Sequence, residues 1–120
     1  MRNILVVDDY EPFRHVVREM LERDGFRVVG EASDGAAAVA AARALGPDVV
    51  LLDVHLPGDD GFAVCDRLLE LVPAPDIVLT SSHDVASFRR RLRTSRARGF
   101  ISKADLTSAA VVALLEAPLP

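Results

Sequence analysis

The sequence is poor in the residues that build disulfides, metal clusters and aromatic cores. Its 120 residues include one cysteine, one tyrosine, five phenylalanines and no tryptophan. A single cysteine excludes an intramolecular disulfide and a cysteine-only metal cluster. Cys65 falls on an apolar helical face, so we expect a buried, unreactive thiol. The scarcity of aromatic residues predicts a mainly aliphatic core.

Long apolar runs and an excess of positive charge are also missing. No apolar stretch approaches the roughly 20 residues of a membrane-spanning helix, and the N-terminus lacks the charged and then apolar layout of a signal peptide. The formal net charge of −4 argues against nucleic-acid binding by the domain as a whole. We therefore expect a protein of the reducing cytoplasm with no membrane partner.

The sequence does contain a regular alternation of strand and helix patterns. Its length and its 50% apolar content are those of one soluble globular domain. A helical pattern follows each of five predicted strands, which are NILVV, RVVGEA, VVLLD, DIVLTSS and GFISK. Five such repeats with short connections predict an α/β domain with a parallel sheet and right-handed crossovers.

Two of the predicted helices carry specific expectations. The third is expected to continue to Pro73, with Val72 on its apolar face. The fourth is expected as a single basic helix over residues 83–99. Its narrow apolar stripe would consist of Val85, Phe88 and Leu92.

Acidic residues follow two of the strands. Asp8 and Asp9 come after the first, and four apolar residues run directly into Asp53 at the end of the third. Parallel strands end at one edge of the sheet, where ligands bind at the point at which strand order reverses. Three carboxylates in one crevice repel one another, and Mg²⁺ relieves that repulsion. The alternative, helix capping by Asp8 and Asp9, is disfavoured when the three acids are taken together.

Two further polar residues end strands at the same edge. Thr80 ends the fourth strand and Lys103 ends the fifth. A hydroxyl and an ammonium beside a metal site match the needs of phosphoryl oxygens. Taken alone, Lys103 would be an ordinary surface lysine, but it is in register with the acids. The set predicts a phosphoryl-accepting site with Asp53 as its nucleophile.

Four segments carry a family resemblance. In this order and spacing, ILVVDD, VVLLDVHLPGDDG, VLTSS and GFISK resemble the receiver domain of bacterial two-component response regulators. The resemblance covers essentially the whole chain and implies a flavodoxin-like five-stranded sheet in the order 2-1-3-4-5, with helices on both faces. It implies one receiver domain over residues 1–117. Residues 118–120 would be its end or the start of a linker to an output domain.

The same resemblance assigns roles around the acceptor. Asp53 would be the phosphoacceptor, and Thr80 and Lys103 would hold the phosphoryl oxygens. Thr80 and Phe100 would form the switch that reports phosphorylation. The protein would promote only its own phosphorylation and dephosphorylation, and so would be a signalling protein without a metabolic substrate.

The resemblance also implies a bound metal ion. Mg²⁺, or Mn²⁺ in its place, would be bound directly by Asp9 and mainly through water by Asp8. Asp53 and the main-chain carbonyl of His55 would complete the protein ligands.

Partners follow from the resemblance as well. The phosphoryl donor would be a sensor histidine kinase or a phosphotransfer protein. The face formed by the fourth helix, fifth strand and fifth helix would serve homodimerisation. Leu56 stands where the family often has Met, and Ala104 stands where many members have Pro. The second departure resembles the branch with a helix-turn-helix DNA-binding output domain; a stand-alone receiver acting through protein contacts is the alternative.

Two enzyme-like or ligand-binding readings compete with the receiver. A haloacid-dehalogenase-type phosphohydrolase also uses an aspartate nucleophile and Mg²⁺, but it carries Asp-x-Asp on its first strand, whereas Asp8 and Asp9 are adjacent here. A nucleotide or flavin binder needs a glycine-rich first loop, and the segment VVDDYEPF contains no glycine.

A cluster of arginines occupies residues 89–98. In a plain structural reading, the long side chains cover apolar surface on a solvated helix. The alternative is a docking surface for an acidic partner, such as a second receiver or a tethered output domain. The cluster contains six of the fourteen basic residues of the chain, namely Arg89, Arg90, Arg91, Arg93, Arg96 and Arg98.

Overall fold

A five-stranded parallel sheet forms the centre of the domain in a computed structural model that describes residues 2–118. The strand order is β2-β1-β3-β4-β5, which confirms the predicted topology. Residues 119 and 120, where the predicted domain end or linker falls, lie outside the described residues. The strands are β1 (Asn3–Val7), β2 (Arg27–Ala32), β3 (Val49–Asp53), β4 (Asp76–Ser81) and β5 (Gly99–Ser102).

Helices cover both faces of the sheet. They are α1 (Glu11–Arg23), α2 (Gly35–Leu45), α3 (Gly61–Leu69), α4 (Arg89–Thr94) and α5 (Ser108–Glu116). Side chains alternate across a strand, so Leu5 and Val7 pack under α2, α3 and α4 while Ile4 and Val6 pack under α1 and α5. The central strands are therefore buried on both faces, as their continuous apolar runs predict.

Strand register positions the functional edge. Asp53 of β3 lies opposite Thr80 of β4, and Ser102 ends β5 opposite Ser81. A short hairpin formed by His55–Leu56 and Asp59–Asp60 follows β3 and leads into α3. The carboxyl ends of the parallel strands therefore lie at one edge of the sheet, namely those of β1, β3, β4 and β5.

The prediction for the end of α3 is wrong. The helix ends at Leu69, and Val72 is 96% exposed. The amide N–H groups of Glu70 and Leu71 donate to carbonyls three residues earlier, which tightens the last turn. Leu71 consequently packs against the core in place of Val72.

The single basic helix over residues 83–99 is also wrong. A 3₁₀ turn at Val85–Ser87 precedes α4, which contains only six residues. The amide N–H groups of Ser87 and Phe88 donate to carbonyls three residues earlier, and Phe88 has φ −140° and ψ 21°, outside the helical region, so the chain does not continue as one helix. The predicted apolar stripe is nevertheless correct, since its three side chains pack on the core.

The longest helix of the described chain, α1, has 13 residues. No helix within residues 2–118 is long and apolar enough to cross a bilayer.

Candidate functional site

Three carboxylates meet at the edge where β1 and β3 end. Asp8, Asp9 and Asp53 each offer an oxygen atom, and these atoms lie within 4.8 Å of one another. Asp8 is completely buried and Asp53 is 4% exposed, whereas the Asp9 side chain is exposed. The structure therefore brings the three predicted acids together, with two at the bottom of the crevice and one at its mouth.

Lys103 enters the same crevice from the end of β5. Its Nζ lies 2.7 Å from Oδ2 of Asp8 and 3.2 Å from Oδ2 of Asp53. The residue opens a 3₁₀ turn, and the Ser102 side chain caps that turn by accepting from the amide of Ala104. One ammonium thus partly neutralises two buried carboxylates, as the sequence register predicts.

The electrostatics of Asp53 reflect a balance of burial and neighbouring charge. Burial raises the pKa of Asp53, and the charge of Asp8 adds to that rise. A hydrogen bond from the His55 amide, 2.9 Å from Oδ1, and the positive charge of Lys103 oppose it, but the net pKa is raised. A buried carboxylate with few hydrogen bonds is less stabilised by solvent, which favours its use as a nucleophile.

For Lys103, the neighbouring charges outweigh the effect of burial on the pKa. Burial by itself would lower the pKa of Lys103, yet the Asp8 carboxylate 2.7 Å away and the negative charge of Asp53 outweigh it, so the pKa is raised. The ammonium therefore stays protonated at neutral pH, and a positive charge faces Asp53.

Thr80 supplies an unsatisfied hydroxyl beside the acids. It is 1% exposed, and its Oγ1 has no hydrogen-bond partner among residues 2–118. Its carbonyl accepts from the Val54 amide at 2.9 Å, which holds the end of β4 against the segment that follows Asp53. Buried polar atoms are usually paired, so this hydroxyl marks a position for a group from a ligand.

The donor set fits Mg²⁺. Three carboxylates supply hard oxygen ligands, and one of them, Asp9, is accessible to solvent, as suits an ion that keeps several waters. Oδ2 of buried Asp8 contacts the Lys103 ammonium but makes no hydrogen bond of good geometry within the described chain, so it is available to a metal-bound water. The carbonyl of His55 remains a predicted ligand.

Phe100, the predicted switch residue, is half-buried on β5. Its ring meets the buried ring of Phe88 edge-on, with 5.2 Å between centroids. Phe88 lies directly before α4. A movement of Phe100 would therefore displace Phe88 and change the position of α4. The role of Phe100 as a switch remains a prediction.

Sequence reasoning missed a cluster of side chains around His55. The Oγ of buried Ser81 lies 3.1 Å from Nδ1 of His55 and accepts a hydrogen bond from the His83 amide. The two imidazole rings lie 4.2 Å apart. Ser81 directly follows Thr80 at the end of a strand, a placement that could have suggested a functional side chain.

Two of the clustered arginines have structural partners. Arg91 forms an ion pair with Asp60 and lies over the Phe62 ring, 4.5 Å from its centroid. Arg98 donates to carbonyls at the end of α5, including that of Leu115 at 2.7 Å. Because these two are committed within the domain, any docking surface is limited to the exposed remainder, which is Arg89, Arg90, Arg93 and Arg96.

Comparison with known proteins gives a consistent picture. The model of the response regulator receiver domain family matches residues 4–114. The response regulator GacA of Pseudomonas viridiflava is 38% identical over 104 residues, which are 86% of this chain and 49% of GacA. Protein-glutamate methylesterase/protein-glutamine glutaminase 2 of Anaeromyxobacter dehalogenans is 43% identical over 88 residues, which are 72% of this chain and 26% of that protein.

A solved structure is also similar. The crystal structure of a two-component response regulator of the LuxR family from an Aurantimonas species superposes with a TM-score of 0.84 at 28% identity, covering 96% of this chain and 86% of that one. This chain spans about half of the length of GacA, and less of the methylesterase. With the family model matched over nearly its full length, the chain belongs to the receiver domains of response regulators.

Proposed function

We propose that this receiver accepts a phosphoryl group on Asp53 from a phosphohistidine of a sensor kinase or phosphotransfer protein. The observation that carries the proposal is the pairing of buried Asp53 with the Lys103 ammonium, 3.2 Å away. Beside this pair lies the hydroxyl of Thr80, which has no hydrogen-bond partner within residues 2–118. An acceptor, a fixed cation and an unsatisfied donor are the groups that phosphoryl transfer requires.

The transfer is a substitution at phosphorus. An Oδ atom of Asp53 forms a bond to phosphorus while the bond from phosphorus to the donor histidine nitrogen breaks, and the electron pair of that bond leaves with the nitrogen. Lys103 balances charge on the phosphoryl oxygens, and Thr80 donates a hydrogen bond to one of them. Asp8, Asp9 and Asp53 would hold Mg²⁺ or Mn²⁺, which would supply further neutralisation of the phosphoryl charge.

The acyl phosphate would be read out through α4, β5 and α5. A hydrogen bond from Thr80 to the phosphoryl group draws the end of β4 inward, and Phe100 moves towards the space that this vacates. The exposed arginines and the α4-β5-α5 face are the surfaces that change, and a homodimer or an output domain would sense them.

The output is proposed to be transcriptional. Transcription regulators are among the relatives, and the matched segments are 55% and 48% of two of them, which leaves room in those proteins for a DNA-binding domain beyond the receiver. The methylesterase relative shows that output types vary, and a stand-alone receiver acting through protein contacts remains the second candidate. We propose that the receiver has no metabolic substrate and acts in the cytoplasm.

Labelling with a small phosphodonor tests the proposal. Acetyl phosphate and Mg²⁺ should add one phosphoryl group that hydroxylamine removes, as measured by intact mass. Asp53→Asn should abolish the addition because an amide is a poor nucleophile. Asp48→Asn is the matched control. Asp48 lies just before the same strand, its side chain accepts from the Asn3 amide, and the variant should label normally. Undiminished labelling of Asp53→Asn would contradict the assignment.

A further inference from the structure

The Lys103 ammonium has a third neighbour besides its two carboxylates. Its Nζ lies 4.5 Å from the centroid of the Phe13 ring. A cation at this distance from an aromatic face is attracted by the ring quadrupole, and more strongly when it is shielded from water. The Lys103 side chain is only 19% exposed. The ammonium is thus held between two anions and a π face.

The position of Phe13 is itself fixed by contacts to the acid cluster. Phe13 lies in the first turn of α1, which follows β1 after only three residues. Oδ1 of Asp8 accepts from the Tyr10 amide at 2.9 Å, and the carbonyl of Asp8 accepts from the Arg14 guanidinium at 2.6 Å. Arg14 is held in turn by Glu31 at 2.9 Å. The first turn of α1 is therefore tied to the residue that Lys103 also contacts.

We propose that Phe13 is a positioning residue for phosphoryl transfer: its ring face holds the Lys103 ammonium over Asp8 and Asp53. Four methylene groups make a lysine side chain flexible, so each contact at its tip narrows the positions that the ammonium can take. The ring face adds one such contact to those made by the two carboxylates. The inference rests on the proposed function of Asp53 and adds a residue that strand-end reasoning does not reach.

Purely structural packing is the competing role for Phe13, because the half-buried ring also packs on the apolar cluster under α1 and α5. Two substitutions separate the roles. Phe13→Leu keeps an apolar side chain and removes the π face, while Phe13→Tyr keeps the face. Phe26→Leu is the matched control, since Phe26 is a 6% exposed member of the same cluster and does not contact Lys103.

The expected results combine kinetics with a spectroscopic signature. Phe13→Leu should slow labelling by acetyl phosphate about fivefold to tenfold, Phe13→Tyr should restore most of the rate, and Phe26→Leu should label as wild type even though it melts earlier. In the NMR spectrum, the ε-methylene protons of Lys103 should be shifted upfield by the ring current in wild type and Phe13→Tyr. That shift should disappear in Phe13→Leu.

A double variant closes the test. In a Lys103→Gln background, Phe13→Leu should leave the residual labelling rate unchanged, because no ammonium remains to be positioned. A full Phe13→Leu defect in that background, or a wild-type rate or an unchanged Lys103 shift in Phe13→Leu alone, would overturn the inference. No labelling of wild type at all would overturn the proposed function and this inference together.

Discussion

Replacing Gly61 with alanine should disrupt the segment that connects Asp53 to α3. Gly61 is the first residue of α3, and its amide donates to the Val54 carbonyl at 2.9 Å. A Cβ added there would lie 2.5 Å from Cα of Val54 and 2.6 Å from the carbonyl oxygens of Asp53 and Val54. All three atoms belong to the backbone of Asp53 and Val54, so no side chain can rotate away to relieve the clash.

The size of the effect follows from these distances. Ordinary van der Waals contact needs nearly 1 Å more, so the junction between β3 and α3 must shift. Overpacking of this kind costs about 1–3 kcal/mol, and backbone contacts place Gly61→Ala near the upper end. The better helix propensity of alanine offsets at most about 1 kcal/mol. A net loss of about 2 kcal/mol lowers the Tm of a domain of this size by about 8 °C.

Function should suffer more than stability, because the moving atoms include the carbonyl of Asp53. A displacement approaching 1 Å reduces the rate of labelling by acetyl phosphate by about tenfold or more. Thermal melting by circular dichroism and labelling followed by intact mass measure the two effects.

Gly30→Ala is the matched control. Its added Cβ would meet Cδ1 of Leu45 at 2.8 Å, but that atom ends a flexible side chain that is 46% exposed. We expect a change in Tm below about 2 °C and normal labelling. The reasoning would be refuted if Gly61→Ala melted and labelled as wild type, or if both glycine variants lost the same stability.

Three further predictions concern the metal, the relay and the thiol. Mg²⁺ should raise the Tm of wild type by mass action but should not raise the Tm of Asp9→Ala. Without metal, the Tm of this variant should change little, because the lost charge is exposed and screened. An equal response of both proteins to the metal in calorimetry would place the ion elsewhere. Beryllofluoride should shift the amide resonance of Phe100 in wild type and not in Thr80→Ala, and equal shifts in both proteins would exclude Thr80 as the relay. Burial raises the pKa of Cys65 to about 11, so the thiol should react with Ellman's reagent at pH 8 only in urea. Between the ordinary thiol pKa of about 9 and the folded-state pKa of about 11, the Cys65 thiol ionises more readily in the unfolded chain. The free energy of unfolding should therefore fall as the pH rises through this interval, and it should fall more in wild type than in Cys65→Val.

The architecture and the meeting of the acids were accessible from the sequence. Continuous apolar runs identify doubly buried strands, and their alternation with helical patterns specifies a parallel sheet. Since parallel strands end at one edge, residues at their ends or directly after them must converge, as Asp8, Asp53, Thr80 and Lys103 do. These predictions depend on chain direction and period, which are local properties.

Other features depend on contacts between distant parts of the chain. Adjacent Asp8 and Asp9 look alike in the sequence, yet one is fully buried and the other is exposed, and it is Asp8 that Lys103, from the far end of the chain, contacts at 2.7 Å. Val72 fits a helical face but lies in solvent, because α3 ends at Leu69 and Leu71 packs on the core instead.

The basic segment shows the same division. Its sequence alone correctly predicts which three apolar residues pack on the core, but the helix has only six residues and two of the arginines have separate partners. Asp60 pairs with Arg91, and the end of α5 binds Arg98. Phe13 likewise reads as an ordinary apolar residue of α1 until the fold places Lys103 on its ring. Periodicity determines which residues face the core, whereas only the packing of separate elements determines which charges and rings meet.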